Sequence, residues 1–368
     1  VVFLHAGIFS WADPASCTFF GAENRGTKRY HVGFHVTVYN QIPGPCRTIP
    51  KLVQGSEDLQ TLPDGRVFIS TGYRSNVMTG SKVPLPKRNI KSAIYLFDFK
   101  TPTKDPVELK FNKEFDAKSF SSHGIGVWED PASGEITVFA ISHHKLGETV
   151  EKFTYDPSSK TLNHVVSIRD PLFVNLNDVT ASGPNSFYVS NIWGGESFLS
   201  RTLEAYLTLP FGSVVYYDGE TAKMAADGLY SCNGVTLSPD KKFLYVAASK
   251  ELKTYTRNED GSLVFKSSID THMGIDNIGV DTETGDIWLG GQPRLIDIIQ
   301  HLDKPEHPAP VLVLKLEVKD GVVSSMLSVY ANNGSVISGA SIANYYKGAL
   351  LVGTIQQNLL YCECRIFQ

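Results

Sequence analysis

Long apolar runs are scarce in this 368-residue chain. The apolar opening that begins Val1-Val2-Phe3-Leu4 falls short of the ~20 residues that span a bilayer, and no later stretch is long enough either. The chain also lacks any block of one charge: a net charge of -4 is dispersed, so a phosphate backbone finds no matching surface and no nucleic-acid partner is expected. Cysteine is sparse. None of the five, Cys17, Cys46, Cys232, Cys362 and Cys364, has the paired spacing of a structural zinc site. No GxSxG elbow is present and no serine or cysteine triad stands out, which argues against an acyl-enzyme mechanism. Helical periodicity is equally rare, with 201–207 and 295–302 the plausible short helices.

What the chain has instead is one unit repeated: a turn cluster of Gly, Pro, Asp or Asn, followed by a short β-branched and aromatic run. Leu62-Pro63-Asp64-Gly65 precedes 66–70, Pro131-Ala132-Ser133-Gly134 precedes 136–140, and Gly183-Pro184-Asn185 precedes 187–189. Ser238-Pro239-Asp240, Thr282-Glu283-Thr284-Gly285-Asp286 and Tyr346-Lys347-Gly348 introduce 243–246, 287–289 and 349–352 in the same way. Six hairpins at intervals of roughly 45 to 70 residues fit an all-β six-bladed β-propeller, whereas a sandwich rarely reaches this length as one domain. The propeller is expected over 46–368. Residues 1–45 read as a leader, the remnant of a signal or membrane anchor.

Just upstream of the hairpins, in the strands that would lie nearest the propeller axis, stand polar residues for which a β-core has no use. They are Glu57-Asp58, His123, Asn177-Asp178, Asn233 and Asp276-Asn277. Inner strands line one channel, so equivalent positions in different blades converge. Glu57, Asp276, Asn177, Asn233 and Asn277 then form a set of hard oxygens, which suits Ca²⁺ rather than zinc or copper. Without a metal, carboxylates desolvated beside one another would destabilise the channel. Neighbours on a strand face opposite ways, so Asp58 and Asp178 are assigned with backbone carbonyls to a second, structural calcium. His123 and His143 stand near strand ends of the second blade, and an imidazole is the natural base for activating water at neutral pH. His144 follows directly, so the residues alone do not choose between the two.

Cys46 lies where the strand pattern begins and Cys362 where it ends, which is where a disulfide would join the first and last blades of a closed ring, and such a bond points to an oxidising compartment. Cys232, inside an apolar stretch, reads as a buried small residue rather than a nucleophile. Asn333-Gly334-Ser335 is the one N-glycosylation sequon.

Gly55-Ser56-Glu57-Asp58-Leu59, Ser122-His123-Gly124-Ile125, Asn175-Leu176-Asn177-Asp178, Cys232-Asn233-Gly234, Asp276-Asn277-Ile278 and Leu360-Tyr361-Cys362-Glu363 together resemble the motifs of the paraoxonase (serum arylesterase) family, in its order. The resemblance runs from about Cys46 to Cys364. It implies a six-bladed propeller with a catalytic calcium on Glu57, Asn177, Asn233, Asp276 and Asn277 and a structural calcium on Asp58, Asp178 and the Ile125 carbonyl. It further implies a Cys46–Cys362 disulfide, a His123–His143 dyad and hydrolysis of small lactones and aryl esters. Members are secreted or held at a lipoprotein or membrane surface through the N-terminus; some distant relatives are instead membrane-bound chaperones. The chain departs from the family at Ser142, at Asn191-Ile192-Trp193, at Tyr73, and at Gly291-Gln292-Pro293, where many relatives carry Cys-His-Pro. No metal position departs.

Overall fold

Each of the six turn clusters joins the inner strand of one sheet to its second strand. A computed structural model of the chain describes residues 36–52, 54–72, 91–144 and 147–365; the apolar N-terminal run, Cys17 and Tyr73 lie outside these. The sheets are six antiparallel blades around one axis, so the protein is a six-bladed β-propeller. Their inner strands are Asp58–Thr61, Ser122–Glu129, Leu176–Ala181, Cys232–Leu237, Gly274–Val280 and Ala340–Tyr346, blades 1 to 6 in chain order. Five blades have four strands, and blade 2 gains a fifth where Lys110–Phe111 pairs in parallel with Thr161–Ile168.

Burial follows distance from the axis. In blade 3 every residue of Leu176–Ala181 and Phe187–Asn191 is buried, while the outermost strand Ala222–Leu229 is half exposed. This is why the inner strands read as continuous apolar runs interrupted by functional residues, not as alternating ones. The apolar cores lie between successive blades: Tyr188 and Val214 of blade 3, for instance, pack against Val235, Leu244 and Val246 of blade 4. Cys232 sits in that layer as a free buried thiol, its acidity suppressed by burial, which bears out its reading as a packing residue.

The ring closes by sharing strands between the chain ends. Cys46–Ile49 forms the outer strand of blade 6, paired with Leu359–Glu363, and Cys46 faces Cys362 in register. The disulfide between them therefore clamps two strands of one blade, and does not tie the first blade to the last. Before entering blade 6 the chain meets blade 5, where Gln41 and Ala331 exchange backbone hydrogen bonds of 2.8 and 2.9 Å. Two helices lie among the described residues: α1 (Phe198–Leu207) and α2 (Leu295–Asp303). The first begins three residues earlier than its periodicity suggests, because Ser197 and Ser200 form a capping box that satisfies the free amides of its first turn.

Since the Cys46–Cys362 bond spans 316 residues of sequence, its removal frees nearly the whole propeller in the unfolded state. A Cys46→Ala/Cys362→Ala chain is expected to lose about 2–5 kcal/mol in denaturant unfolding; an unchanged midpoint and slope would show that strand pairing alone closes the ring.

Candidate functional site at the propeller axis

The same irregularity interrupts the inner strand of five blades. Register with the second strand shifts between Ser122 and Ile125, Leu176 and Val179, Cys232 and Val235, Ile275 and Ile278, and Ala340 and Ile342. A bulge re-aims side chains that regular alternation would send to opposite faces. The bulged residues are the polar ones singled out by sequence: His123, Asn177-Asp178, Asn233 and Asp276-Asn277. Blade 6 adds Ser341, which sequence reading passed over and whose hydroxyl is buried without a partner. Strict alternation, used above to separate neighbouring ligands, fails for Asp276 and Asn277, and the bulge is the physical reason. Glycine permits the crowding: a Cβ at Gly124 would lie 2.5 Å from the Asp178 Cα, and one at Gly234 2.7 Å from the Asn277 Cα. No side chain fits at either place.

Glu57 is the hub. Asn277 Nδ2 donates to its Oε1 at 2.9 Å and to its backbone carbonyl at 3.2 Å, although 220 residues separate them. Asp276 adjoins this pair: the charge of Glu57 acts on it, the Asn233 side chain bonds it, and Gln292 Nε2 donates to its Oδ2 at 3.1 Å. Glu57, Asn233, Asp276 and Asn277 are thus brought together by direct interactions. Asn177 occupies the matching bulge of blade 3.

Burial raises the Glu57 carboxyl to about 8, with the Asn277 amide pulling the other way. It raises Asp276 to about 8 as well, with the charge of Glu57 as the second cause. Meanwhile Glu57 Oε2 and the carbonyl oxygens of Asn177, Asn233 and Asn277 are buried without a hydrogen-bond partner. Each such oxygen costs on the order of 1–3 kcal/mol. Four of them on the inner edges of four blades, with two carboxyls whose ionisation burial opposes, match the needs of a hard divalent cation. Among the described residues no three His, Cys, Asp or Glu side chains gather as a metal-binding group; the donor set is instead largely amide.

Asp58 and Asp178 make a second buried arrangement that repeats between blades 1 and 3. Asp58 accepts from the Leu59 amide (2.8 Å) and from Ile125 of blade 2 (2.8 Å). Asp178 accepts from the Val179 amide (2.6 Å) and from Val235 of blade 4 (2.7 Å). The two carboxyls also interact with each other. Burial, then the charge of Glu57, lifts Asp58 to about 7, and burial, then the charge of Asp58, holds Asp178 well above its usual range. What Ile125 offers Asp58 directly is its amide nitrogen.

His123 and His143 meet. His123 Nδ1 lies 2.8 Å from His143 Nε2, and His123 Nε2 lies 3.5 Å from Glu57 Oε1. The geometry selects His143 as the partner of His123. His143 Nδ1 in turn lies 2.7 Å from Glu148 Oε2. Sequence reading missed Glu148. The available signal was strand register, since His143 pairs directly with Glu148 across the hairpin. His123 is buried and is held well below the usual imidazole range, first by burial and then by His143.

The departures from the family pattern brace this site. Asn191 accepts from the Val174 and Asn175 amides, and its own amide donates to Leu172 and Ser213. Asn175, two residues before Asn177, donates to the Trp193 and Gly195 carbonyls and accepts from Arg201 of α1. Ser142 accepts from the Ser121 amide.

The family model described as Arylesterase matches residues 39–364. Serum paraoxonase/arylesterase 2 of Gallus gallus is 35% identical over 320 residues, which cover 86% of this chain and 88% of that protein. Serum paraoxonase/arylesterase 1 of Homo sapiens is 35% identical over 324 residues, with the same shares. Among solved structures, a gluconolactonase from Xanthomonas campestris superposes with a TM-score of 0.51 at 15% identity, covering 89% of this chain and 98% of that one. That last likeness is one of fold.

Carboxyls raised by burial stabilise the cation-free fold only while protonated. That stability is fully present below the ordinary values of 4.5 and 3.8 and is lost as pH rises to about 8. A chelated sample should therefore show a melting temperature that falls across this window. Saturating calcium should restore it, with a gap that widens as pH rises; a gap constant with pH would contradict the neutralisation argument.

Proposed function

The chain belongs to the arylesterase family, and from that premise we propose that it is a calcium-dependent hydrolase of lactones and aryl esters. The observation that carries the reading is the set of unpartnered buried oxygens on Glu57, Asn177, Asn233 and Asn277 beside the Asp276 carboxylate. These five side chains would hold the catalytic ion. Asp58 and Asp178, with the Ile125 carbonyl, would hold a second ion of structural role. Bound at the axis, calcium would polarise the acyl carbonyl of the substrate and offset the negative charge that develops on its oxygen.

The histidines supply the base. Glu148 accepts the Nδ1 proton of His143, which leaves His143 Nε2 as an acceptor. That nitrogen then receives the Nδ1 proton of His123. His123, which also bonds the Leu176 backbone, presents Nε2 3.5 Å from Glu57 Oε1, and its imidazole would take a proton from the attacking water. Its depressed basicity keeps His123 neutral, and so competent as a base, at neutral pH. As the imidazole charges, His143 and Glu148 stabilise it in place, in the manner of a carboxylate behind a catalytic histidine. Glu148 does not touch the substrate; it fixes a tautomer.

The disulfide agrees with an oxidising, extracellular location, as the serum relatives suggest. No helix among the described residues is long and apolar enough to cross a membrane. Asn333 is exposed on the loop after the outer strand of blade 5, as a glycosylation site would need.

Asp276→Ala and Asn177→Ala should each abolish lactone turnover, and EDTA should do so reversibly; full activity in chelated protein would sink the metal reading. His123→Gln should lower kcat by about 10²-fold or more. Glu148→Gln should lower kcat by a smaller factor while leaving KM nearly unchanged, and wild-type rates in both variants would remove the histidine relay from the mechanism.

A further inference from the structure

Gln292 ends the second strand of blade 5, where it is buried at 5% exposure. Its Nε2 donates two hydrogen bonds: 3.1 Å to Asp276 Oδ2 on the adjacent inner strand, and 2.8 Å to the Ala340 carbonyl at the bulge of blade 6. The Ala340 carbonyl can only accept, as can Asp276 once it is ionised beside a cation, and the amide has two hydrogens for them. A flipped amide would set oxygen against the Ala340 carbonyl, so its orientation has one solution.

We infer that Gln292 is a positioning residue that fixes the Asp276 carboxylate for the axial cation by tying it to the backbone of the neighbouring blade. The inference rests on the calcium reading above. Asp276 is the one carboxylate of the axial set carried by blade 5, and one of its oxygens is anchored to blade 6 through this amide. Without the anchor the carboxylate would have to be ordered by the ion itself, and affinity would fall by the cost of that ordering. Outer hydrogen-bond partners of metal-binding carboxylates act in this way, and their loss typically costs 10–100-fold in affinity. The chemical type matters as well. A neutral amide donates to the carboxylate without placing a positive charge beside the cation, as lysine or arginine would, and it reaches two acceptors at once. Asparagine is one methylene too short to span both, and methionine fills similar volume while donating nothing.

The test is calorimetric titration of calcium chloride into the chelator-stripped full chain, comparing wild type with Gln292→Met and Gln292→Asn. Circular dichroism reports folding, and the axial binding step is identified by its loss in Asp276→Ala. The expected result is an axial dissociation constant about 10–100-fold weaker in the variants, with the Asp58/Asp178 step unmoved. If Gln292→Met fails to fold, Gln292→Asn decides. Wild-type affinity at the axial step would overturn the assignment, and so would equal weakening of both steps, which marks a general structural role. No calcium uptake by the wild-type chain would instead overturn the cation reading itself.

Discussion

Four carboxyl groups, Glu57, Asp276, Asp58 and Asp178, are buried along a narrow axis whose walls are the backbones of neighbouring blades. Charge in that space cannot be relaxed by water, and the groups raise one another's affinity for protons. The chain answers with donors where it can: backbone amides on Asp58 and Asp178, side-chain amides on Glu57 and Asp276. These donors leave Glu57 Oε2 and the side-chain oxygens of Asn177, Asn233 and Asn277 buried without partners. A cation is the chemical species that would complete such a set, and the propeller holds the set in place around it.

That scaffold is rigid for reasons of covalent and packing geometry. Gly124 and Gly234 let inner strands approach until a methyl group would clash, so neighbouring blades meet backbone to backbone at the axis. In the bulge of blade 3, the Asn177 oxygen is buried without a partner while its neighbour Asp178 accepts from the amide of Val235. Strand sharing between the chain ends and the Cys46–Cys362 bond close the ring, so blade movements that would separate ligands from different blades oppose the whole fold.

In the proposed mechanism the same architecture would supply a base. His123 belongs to an inner strand, His143 to the second strand and Glu148 to the third strand of blade 2, so one sheet presents a proton path from its interior to the axis. Burial depresses the basicity of His123, and the carboxylate behind His143 limits the cost of charging it. The Glu57 oxygen at 3.5 Å places that path beside the proposed ion.

Residue order alone determined the blade count, because turn chemistry is local: Asp, Gly, Pro and Asn cluster wherever a two-stranded hairpin reverses, and each of the six clusters occupies such a turn. It also determined which residues are too polar for their surroundings, since Glu57, Asn177, Asn233, Asp276 and Asn277 interrupt otherwise apolar runs. Tertiary structure decided what those residues touch. The pairing of Asn277 with Glu57 across 220 positions, the bulge that defeats simple alternation at Asp276 and Asn277, the Glu148 carboxylate behind His143 and the bridge from Gln292 to two blades all depend on strands meeting from distant parts of the chain. Local pattern carries no record of register between blades, and register is what turns isolated polar side chains into a site.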